Sequence, residues 1–288
     1  MIPPAFDYVR ASSVDEAVAA LVQHGEEAKV LAGGHSLIPL LRLRLAYPSA
    51  LIDVGRVDGM RGVRDDGDHL VIGAATTHDE VTTSDLVREH CGIIADTVSQ
   101  VGDPQVRHRG TFGGGLAHGD SAGDLPALAL ALDADFVVQG PGGRRTVPAS
   151  EFFVDYLQTA LAPDEVLVEV RVPKLGADWG YDYQKFNRVA QAWAIVGSCA
   201  LVRRDNNGTI AEARIGLTHM ASTPVRATAT EQALAGAAPD AVADACDRAA
   251  DGTTPPEDLN ARADYRQHLA RVLTRRAVEA ALGASARA

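Results

Sequence analysis

The sequence predicts three consecutive units: two α/β units over about residues 1–57 and 58–174, and a unit of sheet plus helices over about 175–288. Short apolar strands alternate with helix patterns through the first two units. Pro173–Gly180 is typical of a linker. Beyond it, Asp205-Asn-Asn-Gly208 separates two long strand candidates, and it predicts a β-hairpin because Asn and Gly accept positive φ.

Composition and charge indicate an ordinary soluble globular protein. The 288 residues are 46% hydrophobic and 23% charged, which excludes intrinsic disorder and a disulfide-stapled miniprotein. The net charge of −11 argues against binding to nucleic acid or to an anionic membrane. The apolar runs are too short to span a bilayer, and the first ten residues lack the pattern of a signal peptide. Three widely spaced cysteines fit a reducing compartment, so we expect a cytoplasmic protein.

In the first unit, Ser13-Val-Asp-Glu16 predicts a capping box at the start of a helix. Lys29–Ala32 is a strand candidate that runs directly into Gly33-Gly34-His35-Ser36. A short helix follows from Leu37, and Leu51–Val54 is a further strand. We therefore expect a strand–turn–helix arrangement around the two glycines.

In the second unit, His69–Ala74 predicts a strand and Thr77-His-Asp-Glu80 a second capping box. Helical spacing covers Asp85–Gln100, and Asp124–Leu132 predicts a buried apolar helix. Its Asp and Pro stand at the start, where each is favoured. In the third unit, the hairpin strands are expected at Ala194–Arg204 and Thr209–Thr218.

The strongest local signals are two glycine-rich turns, Ala32-Gly-Gly-His-Ser36 and Thr111-Phe-Gly-Gly-Gly115. Glycine lacks Cβ, so consecutive amides can turn inward and approach a ligand closely. A row of N–H groups binds an anion without lysine, and the hydroxyls of Ser36 and Thr111 are further candidate donors. Two such turns suit a diphosphate such as that of a dinucleotide. The alternative is that both are simply tight turns.

Several chemistries have no support in the sequence. There is no Gly-Lys-Ser/Thr of a P-loop and no G-x-G-x-x-G after a strand. H-E-x-x-H is also absent, and no strand candidate leads into a G-x-S-x-G nucleophile elbow. A metal site built from His118, Asp120 and Asp124 is conceivable, but nothing else converges on those residues. We therefore predict no catalytic acid, base or nucleophile and no metal ligand in this chain.

The remaining candidates each have an alternative role. Asp124 is placed either to cap its helix or to bind a sugar hydroxyl. Lys185 is a solvated strand residue or a ligand contact, and Trp193 either fills core or stacks on a planar ring. Arg107-His108-Arg109 is a solvated loop, an anion contact or a partner contact.

These turns resemble those of the medium, FAD-binding subunit of molybdenum hydroxylases, and most closely that of aerobic carbon monoxide dehydrogenase. The resemblance covers essentially the whole chain. Its motifs include Leu31-Ala-Gly-Gly-His-Ser-Leu-Ile-Pro39, Asp103-Pro-Gln-Val-Arg107, Gly110-Thr-Phe-Gly-Gly114, Asp124-Leu-Pro-Ala127 and Ile215-Gly-Leu-Thr218. It implies an α+β protein with the FAD-binding PCMH-type fold, named after p-cresol methylhydroxylase, followed by a C-terminal sheet-plus-helices domain.

The resemblance also implies where FAD binds. The first turn would hold the pyrophosphate, Asp124 would bind cofactor hydroxyls, Lys185 would lie near the flavin end, and Trp193 would lie against the ring. The cofactor-binding residues implied are Ala32, Gly33, Gly34, His35, Ser36, Val101, Gly102, Thr111, Gly113, Gly114, Gly115, Asp124, Leu167, Lys185 and Trp193. The chain departs from the family at Gly115, where Asn is usual, which removes an amide side chain beside the second turn.

The resemblance implies an oxidoreductase subunit that passes electrons from [2Fe–2S] clusters through FAD to an external acceptor. Its partners would be a large molybdopterin subunit and a small [2Fe–2S] subunit, assembled as a dimer of heterotrimers, a heterohexamer. Association with a membrane would then come only through partners. Two alternatives remain open: a stand-alone flavin oxidoreductase of the same fold, and a flavin-free scaffold subunit.

Overall fold

The structure is a computed structural model that describes residues 2–285. The N-terminal part contains three short strands and two helices. In chain order these are β1 (Asp7–Arg10), α1 (Val14–His24), β2 (Ala28–Leu31), α2 (Leu37–Leu43) and β3 (Ala50–Asp53). The strands form a parallel sheet in the order β1-β3-β2. The first glycine turn therefore follows the carboxyl end of an outer strand.

The middle part is built on a five-stranded antiparallel sheet in the order β4-β5-β10-β6-β7. Five helices lie between β5 and β6 along the chain. The elements are β4 (Val63–Asp66), β5 (His69–Gly73), α3 (His78–Thr83), α4 (Asp85–Ser99), α5 (Pro104–Arg107), α6 (Phe112–Ala117), α7 (Asp124–Ala131), β6 (Asp135–Gly140), β7 (Gly143–Pro148), α8 (Ala149–Phe152), β8 (Phe153–Asp155), β9 (Gln158–Thr159) and β10 (Val166–Pro173).

The C-terminal part is a four-stranded antiparallel sheet, in the order β11-β12-β13-β14, with helices packed on it. Its elements are β11 (Trp179–Phe186), β12 (Val196–Arg204), β13 (Ile210–Thr218), β14 (Val225–Arg226), α9 (Thr228–Leu234), a single 3₁₀ turn at Pro239–Ala241, α10 (Val242–Cys246) and α11 (Ala263–Ser285). The β12–β13 hairpin closes at Gly208, which has a φ of +83° as the sequence predicted for this turn.

The two predicted capping boxes have different outcomes. At α3 the box is complete: Thr77 Oγ1 accepts from the Glu80 amide at 3.3 Å, and Glu80 accepts from the Thr77 amide at 2.8 Å. At α1 only half forms. Ser13 Oγ accepts from the Glu16 amide, but the Glu16 carboxylate binds the amide of Ser12, at 2.8 Å, instead of that of Ser13. The box prediction was wrong there because a second serine lies within reach of the same carboxylate.

One hydrophobic core joins the first two parts and extends into the third. It runs from α1 through the middle sheet and α7 to Tyr183, Cys199 and Leu201 on β11 and β12. A second core lies between the C-terminal sheet and α9–α11. The strand β11 therefore packs directly against the helices of the middle part, and this contact brings Lys185 next to Asp124.

Candidate functional site: a cleft between two glycine turns

The glycine turn Ala32–Ser36 approaches the backbone of the middle part too closely for any side chain at Gly33. A Cβ there would lie 2.2 Å from the Arg109 carbonyl oxygen. Gly34 adopts a φ of +78°, the left-handed region that favours glycine. The first turn therefore needs glycine both for its conformation and for its contact with the chain that leads into the second turn.

The amides of this first turn are free. Among the residues the structure describes, those of Gly33, Gly34, His35 and Ser36 donate to no other group of the protein. Ser36 precedes α2 but makes no side-chain cap. Consecutive free amides beside a cleft are suited to an external anionic acceptor.

The second turn, Thr111–Gly115, differs. Phe112 donates to the Thr76 carbonyl and Gly113 to the Ala74 carbonyl, both at 2.9 Å. The amides of Gly114 and Gly115 both donate to Thr111, the first to its hydroxyl at 3.2 Å and the second to its carbonyl at 3.0 Å. These amides are therefore not available to an anion, contrary to the interpretation of both turns as rows of free donors. A pairing of Thr77 with Thr111 fixes this turn against the segment after β5.

Between the two turns lies a cleft of about 670 Å³, within the range for a small-molecule or cofactor site. The structure brings together here all but two of the sequence-predicted site residues. The lining members are Ala32, Gly33, Gly34, His35, Ser36, Val101, Gly102, Thr111, Gly114, Gly115, Asp124, Lys185 and Trp193. Gly113 and Leu167 are not among them. Gly113 packs instead on the end of β5, where a Cβ would lie 2.4 Å from Cβ of Ala74, and Leu167 is buried in the core.

At one end of the cleft, Asp124 and Lys185 form a buried ion pair. The Lys185 Nζ lies 2.8 Å from Asp124 Oδ2, and both side chains are about one-twentieth exposed. Lys185 also donates to the Gln100 carbonyl at 3.0 Å. An ammonium carries three N–H donors, so one remains for a ligand. The sequence alternatives of a solvated lysine and a simple helix-capping aspartate are therefore wrong.

Tyr183 completes this cluster, and sequence reasoning missed it. Its hydroxyl donates to Asp124 Oδ1 at 2.6 Å. Burial raises the pKa of Tyr183 well above its usual value, so the phenol stays a donor. Burial also raises the pKa of Asp124, and the Lys185 ammonium opposes that rise. Tyr183 and Lys185 alternate on β11, a spacing that could have marked them as residues of one strand face.

Trp193 lies in the connection between β11 and β12, at the mouth of the cleft, with 55% of its surface exposed. It is not a core residue, so the core-filling alternative is wrong. An indole on the rim presents a flat apolar face to whatever occupies the cleft.

The three residues of the basic segment 107–109 each make a different contact. Arg107 donates to the Val101 carbonyl at 3.1 Å, and His108 lies 3.2 Å from Asp79. Arg109 lines a second cavity of about 510 Å³ together with Arg10 and Arg56, and this cavity shares Leu31–Gly33 and Thr111 with the cleft. The segment therefore braces the loop and contributes to an adjoining basic cavity.

A dinucleotide fits the residues of the cleft. Free amides meet the negative diphosphate, a buried carboxylate retains acceptor positions for hydroxyls, and an aromatic side chain lies at the rim. The described residues contain no group of three or more His, Cys, Asp or Glu side chains that could hold a metal ion. Asp120, one member of the conceivable metal set, accepts instead from the Ala122 amide at 2.9 Å. Within residues 2–285, no helix is long and apolar enough to cross a membrane.

Comparison with known proteins supports the same interpretation. Residues 4–175 match a family model described as the FAD binding domain in molybdopterin dehydrogenase. Residues 181–281 match the CO dehydrogenase flavoprotein C-terminal domain. Together these family models cover both the cleft and the sheet that supplies Lys185.

Individual relatives match over nearly their whole length. The carbon monoxide dehydrogenase medium chain of Hydrogenophaga pseudoflava is 44% identical over 98% of both chains. A subunit of the 6-hydroxypseudooxynicotine dehydrogenase complex of Paenarthrobacter nicotinovorans is 37% identical, covering 98% of this chain and 96% of the relative. A solved structure of the H. pseudoflava carbon monoxide dehydrogenase superposes with a TM-score of 0.96 at 45% identity, covering 99% of each chain.

These matches confirm the fold that the sequence motifs implied, an FAD-binding domain followed by a C-terminal sheet-plus-helices domain. This chain belongs to the family of FAD-binding subunits of molybdopterin dehydrogenases and is an oxidoreductase subunit of that family.

Proposed function

We propose that this chain is the electron-transfer subunit of a molybdenum hydroxylase complex that oxidises carbon monoxide. In that complex a large subunit would carry the molybdopterin cofactor and a small subunit two [2Fe–2S] clusters. Electrons would leave through this chain to an external acceptor. The complex would be a dimer of heterotrimers in the cytoplasm, and any attachment to a membrane would be made by the partner subunits.

The free amides of Gly33–Ser36 carry the proposal for the cofactor site. They lie at the contact between the first and middle parts, in a cleft that is long enough to reach β11 and Trp193. Four consecutive amides without a protein acceptor, beside a cleft of this size, favour a bound anion over a flavin-free scaffold.

FAD, when bound, supplies the redox chemistry, and this chain needs no acid–base pair of its own. The first turn would bind the diphosphate, and Trp193 would exclude water from one face of the ring. Lys185 would donate its remaining N–H at the flavin end of the cleft. Because Asp124 neutralises much of its charge, Lys185 would act as an oriented donor more than as a free cation.

The choice of carbon monoxide as substrate is supported by the C-terminal family model and by the H. pseudoflava relative. The second relative belongs to a complex named for a different substrate, 6-hydroxypseudooxynicotine. The large subunit would contact the substrate, so the substrate is tested on the complex and not on this chain.

The test is purification of the native complex through a tag on this chain. We expect three co-purifying chains, molybdenum, iron and FAD, and reduction of the flavin on addition of carbon monoxide. A yellow, active monomer without partners would instead indicate a stand-alone flavoprotein. A colourless preparation would indicate a scaffold. A complete complex that is reduced by another substrate and not by carbon monoxide would refute the substrate assignment alone.

A further inference from the structure

The second glycine turn has no free amides at Phe112–Gly115, yet it forms one wall of the cleft. A polar side chain beneath it, His78, belongs to no motif of the cofactor site. His78 is the first residue of α3, and its amide donates to the Gly110 carbonyl at 2.9 Å. This bond and the Thr77–Thr111 pairing hold the imidazole directly against the second turn.

The imidazole of His78 is buried but has no partner. The residue is 4% exposed and lines the cleft. Its Nδ1 is buried without a hydrogen bond, and Nε2 makes none either to the part of the chain that the structure describes. A buried polar ring without partners normally has a role that the protein alone does not fulfil.

The charge and tautomer of this ring follow from its surroundings. Burial lowers the pKa of His78 to about 4, with Arg107 and His35 opposing a positive charge as well. The ring is therefore neutral at pH 7 and carries one N–H. A buried N–H without a partner is rarer than an unpaired acceptor, so the hydrogen belongs on Nε2 and the lone pair on the enclosed Nδ1.

Two glycines leave the Nε2 edge of the ring open. A Cβ at Gly110 would lie 3.2 Å from Nε2, and a Cβ at Gly115 would lie 3.7 Å from Cε1 and 4.0 Å from Nε2. Gly115 and His78 both line the cleft, and Gly115 has no side chain that could lie between the ring and the cleft.

We propose that the Nε2–H of His78, beneath the second turn, donates a hydrogen bond to the diphosphate of the cofactor. The amides of Phe112–Gly115 do not make such a bond, because they are already bonded within the protein. The inference rests on the proposed function, since it requires FAD in this cleft. It makes the two walls of the cleft chemically different: main-chain donors on the first turn and a side-chain donor on the second.

The affinity test uses the full chain with FAD removed and then titrated back, followed by the quenching of flavin fluorescence. A hydrogen bond to a charged group contributes ~1.5–3 kcal/mol, so His78→Phe should raise the Kd for FAD at least about tenfold. His78→Gln, which places an N–H near the same point, should recover most of that loss. Thr97→Val is the matched control, because Thr97 is buried and unpaired on α4 but does not line the cleft.

Nuclear magnetic resonance of the unmutated chain, with ¹⁵N-labelled histidine, gives a readout independent of folding defects. We expect the Nε2–H tautomer for His78 and a shift of Nε2 on addition of ADP, but none with riboflavin, which lacks the diphosphate. The opposite tautomer, an unmoved Nε2 with ADP, or a His78→Phe affinity equal to that of the unmutated chain would overturn the inference. If the unmutated chain binds FAD but His78 does not respond, only this inference fails. If it binds no FAD, the proposed cofactor site fails with it.

Discussion

The ion pair between Asp124 and Lys185 provides the sharpest test of the cleft's energetics. Lys185→Met removes the ammonium and leaves a buried carboxylate for which Tyr183 is the one remaining side-chain donor among the described residues. Both side chains are at least nine-tenths buried, so little solvent screening applies. Removing one partner of such a pair costs ~3–5 kcal/mol, mainly because the other charge stays buried without compensation.

A double variant separates the cost of the unpaired buried charge from the loss of packing. Asp124→Asn/Lys185→Met removes both charges and should recover most of the lost stability, because a neutral amide is far cheaper to bury than an unpaired carboxylate. Urea unfolding of the FAD-free chain, followed by circular dichroism, measures both variants against the unmutated protein. Two results would contradict a charged, buried carboxylate at Asp124. One is a fall of less than about 1 kcal/mol in the free energy of unfolding of Lys185→Met, and the other is a double variant no more stable than the single variant.

Three further predictions test other parts of the cleft. Gly33→Ala should cost ~1–3 kcal/mol and weaken FAD binding, because its Cβ would meet the Arg109 carbonyl at 2.2 Å, whereas Gly142→Ala, with no atom within 4 Å, should leave urea unfolding and FAD titration unchanged. Tyr183→Phe should lower the free energy of unfolding by ~1–3 kcal/mol, as it leaves Asp124 Oδ1 without its donor at 2.6 Å; equal stability in urea would show that the bond contributes nothing. Acidification should destabilise the chain through His78: its folded pKa of about 4 lies below the ordinary 6.5, so the unfolded chain binds the extra proton and stability falls as pH drops from about 6.5 to 4, by about 3 kcal/mol in all. In His78→Phe that contribution should disappear from the pH dependence of thermal unfolding, and an unchanged slope would contradict a buried neutral imidazole.

Much of the fold could be predicted because its signals are local. The turn Asp205–Gly208 connects two apolar runs, and the structure closes a hairpin there. The helix beginning at Asp124 is apolar on every side, and all its residues are buried. The α1 cap was less predictable, since Ser12 and Ser13 compete for one carboxylate at similar distances along the chain. Local patterns identify such elements but do not choose between neighbouring donors.

The candidate site could be predicted only in part, because its chemistry depends on contacts distant in sequence. The resemblance implied both Asp124 and Lys185 as cofactor contacts, but their mutual pairing across 61 residues was not predicted. Tyr183 was given no role in the site, and His78 was assigned only to a capping box. Neither the Tyr183–Asp124 bond nor the missing partner of the His78 ring leaves any mark in the neighbouring sequence. The first follows from how β11 lies against the start of α7, and the second from how the chain after β5 packs on the second glycine turn.

The two glycine turns show why composition alone does not identify an anion site. Gly113 is glycine because its backbone packs on Ala74, and the carbonyls of the chain after β5 then take up the neighbouring amides. Gly33 is equally crowded, by the Arg109 carbonyl, but no carbonyl of the described chain turns toward the amides that follow it. Both turns therefore need glycine for space, while among the described residues of the two turns only the first keeps a run of free amides. Binding capacity depends on which amides the fold leaves unpaired, and that is a property of the tertiary structure.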